Sequence, residues 1–204
     1  MDKKDMQKLV ETLNKKGFNA KYFSNAAEAK AAVLDMIGPG ETVGIGGSMT
    51  IYDMKLHEEL KAKGNQVFWH WLVEPGERND ARSKAANADV YLSSTNAMTL
   101  EGELVNIDGT GNRVSSMFFG PKKVIIVCGE NKIAKDYDAA IDRIKNTACP
   151  ANARRLKLST PCAVTGKCNE CSSKERMCNV TVKIQYPTTG RDINILLVGE
   201  SLGY

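Results

Sequence analysis

Gly120-Pro121-Lys122-Lys123-Val124-Ile125-Ile126-Val127-Cys128-Gly129-Glu130-Asn131-Lys132 is the stretch that decides the fold of this 204-residue chain. Lys123–Val127 is nearly all β-branched, which suits an extended pleated backbone, and it carries no polar residue between Val124 and Val127. A strand with one wet face alternates apolar and polar residues. An unbroken apolar run instead predicts a strand covered on both faces, as in a parallel sheet between two layers of helices.

The flanking segments repeat that logic. Upstream, Glu41–Gly44, Gln66–His70 and Asp89–Ser93 read as strands, with helices expected over roughly 50–63 and 78–87 between them. Met6, Leu9, Val10 and Leu13 recur at helical spacing, so residues 3–16 form an amphipathic helix that Gly17 stops. Asn25 followed by Glu28 is a capping signal for a second helix, which ends near Gly38-Pro39-Gly40. Glu103–Ile107 and Arg113–Met117 flank Asp108-Gly109-Thr110-Gly111-Asn112 and predict a hairpin or tight reversal. Tyr137, Ala140, Ile141, Ile144 and Ala148 make another helical stripe, beyond which Pro150 opposes continuation; Val180–Gln185 and Ile193–Val198 are the last strands. Strands alternating with helices predict an α/β fold with a mainly parallel sheet and helices on both faces.

Composition bounds the function. Hydrophobic residues at 42% and charged residues at 25% suit a chain with its own core, here read as a single domain over 1–204 with a cysteine-rich loop at about 149–179. A net charge of +4 accommodates anionic ligands but is too diffuse for a nucleic-acid partner. The start is charged, without a signal-peptide core, and no apolar run is long enough to span a membrane, so the expected compartment is the reducing cytoplasm.

Three polar loops follow predicted strands, where open α/β sheets place their ligands. Gly44-Ile45-Gly46-Gly47-Ser48 leads from a strand into a helix, and its glycines permit close approach of an anion; its spacing matches neither the dinucleotide nor the P-loop motif. Ser93-Ser94-Thr95-Asn96 continues to Thr99, and Gly129-Glu130-Asn131-Lys132 follows the central strand. With Asn112 and Arg113 from the reversal, these loops predict a cleft for a small anionic metabolite lined by Gly46, Gly47, Ser48, Asn96, Thr99, Asn112, Arg113 and Lys132. Glu101 is the candidate acid, base or nucleophile. His57 and His70 have no partner at a telling spacing and read as packed or exposed.

Four of the six cysteines crowd into one late segment, Cys162, Cys168, Cys171 and Cys178, spaced C-x5-C-x2-C-x6-C. In a reducing compartment this reads as metal or cluster binding, with an iron–sulfur cluster favoured and zinc the alternative. Free or regulatory thiols are the competing reading, and Cys149 lies close enough in sequence to substitute as a ligand.

Taken as an ordered set, several motifs resemble the LUD (lactate utilisation) domain family. They are Gly46-Gly47-Ser48, Thr95-Asn96-Ala97-Met98-Thr99, Gly102 to Arg113 with Asn106, Asp108 and Gly111, Phe119-Gly120-Pro121-Lys122, Gly129 to Ile133, Pro150 to Arg154, the cysteine segment, and Leu197-Val198-Gly199-Glu200. The resemblance implies a fold like that of the glucosamine-phosphate isomerase, ribose-phosphate isomerase and CoA-transferase group. It also implies a role in lactate-linked organic-acid redox metabolism, with iron–sulfur or flavin redox proteins as candidate partners and a homo-oligomer as a candidate assembly. By analogy with CoA transferases, Glu101 would be a nucleophile. An isomerase- or transferase-like enzyme on a phosphorylated or CoA-linked substrate with a structural zinc, and a non-catalytic binding module, are the alternatives.

Overall fold

A computed structural model describes residues 3–204. Met1 and Asp2, part of the charged start, lie outside the described residues. In chain order the first half contains α1 (Lys3–Lys15), β1 (Asn19–Phe23), α2 (Ala26–Met36), β2 (Val43–Ile45), α3 (Met49–Asp53), α4 (Leu56–Ala62), β3 (Val67–Phe68), α5 (Arg78–Ala86) and β4 (Val90–Ser93). The second half contains β5 (Ala97–Thr99), β6 (Leu104–Asp108), α6 (Asn112–Phe118), β7 (Lys123–Gly129), β8 (Ile133–Ala134), α7 (Tyr137–Arg143), α8 (Cys149–Arg155), α9 (Pro161–Thr165), β9 (Val180–Ile184) and β10 (Asp192–Val198).

Six strands form one sheet in the order β1-β10-β7-β4-β2-β3, with every neighbouring pair parallel. The predicted α/β class, with helices on both faces of a mainly parallel sheet, is therefore the observed one. β7 sits at its centre, and Val124, Ile125, Ile126 and Val127 are all fully buried. Their alternation sorts them between two cores. Val124, Ile126 and Cys128 join Met6, Leu9 and Leu13 of α1 and Val114 and Met117 of α6. Ile125 and Val127 join Ala29 and Val33 of α2 and Leu56 and Leu60 of α4. β10 divides the same way, Ile193, Ile195 and Leu197 facing the first core, Leu196 and Val198 the second. The period of two thus welds two helical layers to one sheet.

A smaller sheet, β8-β5-β6-β9, pairs β6 antiparallel with both β5 and β9, and β5 parallel with β8. Ala97, Val105 and Ile107 pack there against Ala140 and Ile144.

Capping follows the expected chemistry at α2, where the Asn25 side chain accepts from Glu28 N at 2.9 Å and Ser24 N donates to the Glu28 carboxylate at 3.0 Å. Several expectations are corrected. The second arm of the predicted hairpin, Arg113–Met117, is helical and lies within α6. Asp108 Oδ1 accepts from Thr110 N and Gly111 N, and Gly111 takes φ 88°, so the turn starts a helix whose Val114 and Met117 share one buried face. β6 finds its partners in β5 and β9 instead. The predicted helix over 50–63 is broken between α3 and α4, where Lys55 takes a left-handed φ of 54°. The strand predicted over Gln66–His70 is only Val67–Phe68.

Pro150 does not end helical structure. A π-helical turn over Ile144–Ala148 widens the ladder and leads into α8, where proline sits in the first turn and needs no N–H. β1 lies in a segment that carried no strand signal, and β5 in one read as polar loop.

Truncating the central strand tests this layered core. Ile126→Ala should destabilise the chain by about 2–5 kcal/mol, whereas Leu100→Ala, at an exposed position, should change little. Urea unfolding followed by circular dichroism measures both; equal midpoints would contradict the layered core.

Candidate ligand cleft

The chain leaves the carboxyl ends of β2, β4 and β7 on one rim of the parallel sheet, and a cleft of about 670 Å3 opens there. Gly47 and Ser48 follow β2, Ser94, Thr95 and Asn96 follow β4, and Lys132 follows β7; Asn112 and Arg113 enter from the start of α6. Ser48 is also the cap of α3, its Oγ accepting from Ile51 N at 3.3 Å.

Arg113 organises this rim. Its Nε donates to Asp108 Oδ2 at 3.1 Å, its Nη1 to Asn106 Oδ1 at 2.7 Å and Ser94 O at 3.4 Å, and its Nη2 to Asn96 Oδ1 at 2.9 Å and Ile107 O at 3.1 Å. All five guanidinium N–H groups are thereby used. The side chain is buried and its charge is neutralised by Asp108. It positions the loops rather than offering a free cation to a ligand. Gly46 makes room for it, since a Cβ there would lie 2.7 Å from Arg113 Cγ and 2.8 Å from the Tyr91 hydroxyl. Asn96 is fixed as well: its Oδ1 also accepts from Ile107 N, its N donates to Asn106 Oδ1, and its O accepts from Arg143 Nη1.

Lys132 is 4% exposed and lines the cleft. Its Nζ donates to Thr50 Oγ1 at 2.8 Å and Ser94 Oγ at 3.0 Å. Burial, together with the charges of Arg143 and Arg113, pushes its pKa down to about 8, against the opposing pull of Cys128 and Asp53. Asp53 in turn is raised by its own burial, with Lys132 opposing.

The opposite wall was not foreseen from sequence. It presents Arg78 and Arg82 from α5, Arg155 from α8, Trp71, His70, Tyr52 and Tyr204. The Arg155 guanidinium lies 4.3 Å from the centre of the Trp71 ring, whose other neighbour Trp69 stacks at 4.9 Å. Arg155 also donates to Asn152 Oδ1 and to the Tyr204 hydroxyl. Arg82 Nε is buried without a hydrogen-bond partner among the described residues. Burial and the nearby Arg82 and Arg78 push the His70 pKa down to about 4, so the imidazole is neutral at pH 7. Apart from the Arg113–Asp108 pair, the charged residues lining the cleft are therefore all cationic: Arg78, Arg82, Lys132 and Arg155. Two arginines one helical turn apart, close behind Phe68-Trp69-His70-Trp71, were the available sequence signal.

Three predicted residues stand apart from the cleft lining. Gly46 is packed behind Arg113. Thr99 is buried, its Oγ1 accepting from Glu103 N at 3.1 Å in the β5–β6 turn. Glu101 is exposed on that same turn and does not line the cleft.

The cysteine segment borders the cleft. Cys162 lies in α9, Cys168 and Cys171 in irregular chain, and Cys178 just before β9; all four are half-buried free thiols. Cys149, at the start of α8, lines the cleft together with Met177. Burial pushes the Cys149 thiol up to about 12, reinforced by Cys178, Cys162 and Cys168 nearby. Several contacts hold the segment against the π turn and α8: Cys168 N donates to Asn146 Oδ1, Lys145 pairs with Glu170 at 2.6 Å, and Asn152 Nδ2 lies 2.9 Å from Met177 Sδ. Arg176 Nη2 lies 3.4 Å from Cys178 Sγ. Cys128, in β7, is fully buried, and burial raises its thiol to about 11. Among the described residues, no three His, Cys, Asp or Glu side chains stand close enough together to hold a metal ion. The donor chemistry, soft thiols beside basic side chains, suits a thiophilic metal or cluster; their spacing in this structure does not yet close around one.

The LUD domain family model matches residues 6–198. No curated protein matches the chain. Among solved structures, a DUF162 family protein from Deinococcus radiodurans is similar with a TM-score of 0.54 and 13% identity, over 96% of this chain and 97% of that one. At that identity the likeness concerns the fold. Ribose 5-phosphate isomerase from Plasmodium falciparum aligns over 54% of this chain and 52% of its own, with 18% identity and a TM-score of 0.34, and carries no part of the assignment. With its family match spanning nearly every element from α1 to β10, the chain belongs to the LUD domain family.

Proposed function

We propose that this LUD domain protein serves lactate-linked organic-acid metabolism in the cytoplasm by holding a small carboxylate metabolite in the cleft. Family membership supports the link to lactate utilisation. The observation that carries the cleft reading is the excess of cationic side chains on a rim whose one carboxylate is already paired. Arg113 fixes the loops, Lys132 and the arginines supply the positive field, and Ser48, Asn96 and Asn112 offer polar contacts. No described helix is long and apolar enough to cross a membrane.

The cysteine segment is proposed to bind an iron–sulfur cluster through Cys162, Cys168, Cys171 and Cys178, zinc being the alternative. Iron–sulfur or flavin proteins are the corresponding redox partners. Cys149 stands beside three of the four, so it is a competing ligand for the fourth position. The cluster, when bound, would supply one-electron chemistry; this chain's own contribution is the thiol set and the basic residues Lys145 and Arg176 around it.

A second reading draws on the size of the cleft. A three-carbon acid fills only a small part of 670 Å3, which favours a phosphorylated or CoA-linked substrate.

Calorimetric titration with L-lactate and pyruvate tests the first reading. Saturable binding is expected, weakened by added salt and falling as pH rises through about 8, where Lys132 loses its proton. Arg82→Ala should weaken it by about tenfold or more, the scale of a hydrogen bond to a charged group. Binding only to sugar phosphates or acyl-CoAs would favour the second reading.

Anaerobic reconstitution followed by iron, sulfide and zinc analysis tests the cysteine proposal. Broad visible absorption with matched iron and sulfide is expected, and a colourless protein with stoichiometric zinc would favour the alternative. Cys149→Ser and Cys171→Ser, compared in metal content, identify the fourth ligand. Metal-free protein after reconstitution would overturn both metals.

A further inference from the structure

Lys132 is more than one cation among several. Its ammonium is buried in the floor of the cleft, between the hydroxyls of Thr50 and Ser94. Among the described residues no third acceptor bonds its Nζ. An ammonium has three N–H groups, so two hydroxyl acceptors leave one to face the cleft. A neutral amine has two, and the same hydroxyls satisfy both while its lone pair stays free. Burial and the neighbouring cations bring the Lys132 pKa down to about 8, so at pH 7 a larger share of this amine is unprotonated than in an ordinary lysine, although the ammonium still predominates. Arg113 faces Nζ from α6 and Arg143 from α7, both cationic; Asp53 from α3 and the Cys128 thiol in β7 act the other way and do not cancel the burial. Desolvation beside other cations is the arrangement that activates a lysine as a nucleophile.

We propose that Lys132 is a covalent catalytic residue whose amine forms an imine with a 2-oxo acid bound in the cleft. The lone pair on Nζ attacks the carbonyl carbon, a C–N bond forms, and the carbonyl π pair moves to oxygen. A proton passes from nitrogen to that oxygen, giving a carbinolamine. The nitrogen gives up its remaining proton, the hydroxyl departs with it as water, and a C=N bond remains. No oxidant or further reactant enters. Ser94 Oγ and Thr50 Oγ1, both hydrogen-bonded to Nζ, are placed to carry these protons. The cationic wall of Arg78, Arg82 and Arg155 provides for the carboxylate of the acid, and a carbonyl beside it is the feature that would distinguish a 2-oxo acid from a 2-hydroxy acid at this site. The inference rests on the anion-cleft reading above and adds a substrate class to it.

Incubating the intact protein with pyruvate and sodium borohydride, then mapping modified lysines by peptide mass, reads the imine directly. Lys132 is expected to be reduced and labelled on the order of tenfold faster at pH 7 than the exposed lysines of the chain, because its lowered pKa of about 8 leaves more free amine than an ordinary lysine has. The labelling rate should rise with pH and level off above about 8, opposite in sign to carboxylate affinity. Lys132→Arg removes the nucleophilic amine, so it should lose the adduct whatever its effect on calorimetric binding of pyruvate. Saturable pyruvate binding with no adduct at Lys132 would overturn the imine while leaving the cleft in place. Absence of both binding and adduct would overturn the two together, and labelling no faster than at surface lysines would overturn the special reactivity.

Discussion

The guanidinium of Arg113 braces the junction of the two sheets, where Asn96 also bonds Asn106 and Ile107 directly. It ties Asn96 and Ser94, just beyond the large sheet, to Asn106, Ile107 and Asp108 of the small sheet, and it does so from the first turn of α6. Five directed bonds from one rigid planar group fix both distance and angle, which a flexible ammonium would not do. A buried charge is tolerable only when paired and fully bonded, and Asp108 with four further acceptors meets that condition. Gly46 completes the arrangement by leaving no Cβ in its way. The cleft wall is consequently preorganised before any ligand arrives.

With Arg113 neutralised, the field in the cleft belongs to Lys132, Arg78, Arg82 and Arg155. They stand in different environments. Arg155 rests on Trp71 and the two α5 arginines lie near the surface, whereas Lys132 is sealed into the sheet rim. Burial penalises charge most strongly there, so the same desolvation that weakens Lys132 as a cation leaves more of its amine unprotonated and available as a nucleophile. His70, kept neutral by burial and by the nearby Arg82 and Arg78, adds a polar ring without adding charge. The cysteine segment closes one side of this space, Cys149 and Met177 forming part of the lining, so chemistry at the thiols and ligand binding in the cleft share a wall.

Much of the fold was legible from local pattern. The β-branched run of β7, the heptad-like apolar stripe of α1 and the Asn25–Glu28 cap each depend on neighbours within a few residues, and each is found as read. The failures share one cause. Arg113–Met117 has a pattern compatible with strand or helix, and only the engagement of β6 with β5 and β9 leaves it helical. Pro150 opposes a regular α-helix, yet a π turn absorbs it once α7 and α8 pack along the small sheet. Of the residues expected at the cleft, Gly47, Ser48, Asn96 and Lys132 line it because the ends of parallel strands share a rim, and Asn112 and Arg113 join them from the start of α6. Glu101 was read as the carboxylate of a loop following a strand and by analogy with CoA transferases, and the β5–β6 turn instead leaves it exposed.

By itself, then, the sequence determined which segments are strands covered on both faces, which helices are amphipathic, and which polar loops end those strands, since periodicity and capping are encoded over a handful of residues. Only the tertiary structure decided that Arg113 is a bonded strut rather than a free cation, that Arg78, Arg82 and Arg155 line the same cleft as Lys132, and that Cys149 stands near Cys162, Cys168 and Cys178. Those outcomes depend on burial and on partners far apart in the chain. A side chain's charge state and available donors are set by what surrounds it, and only folding determines that.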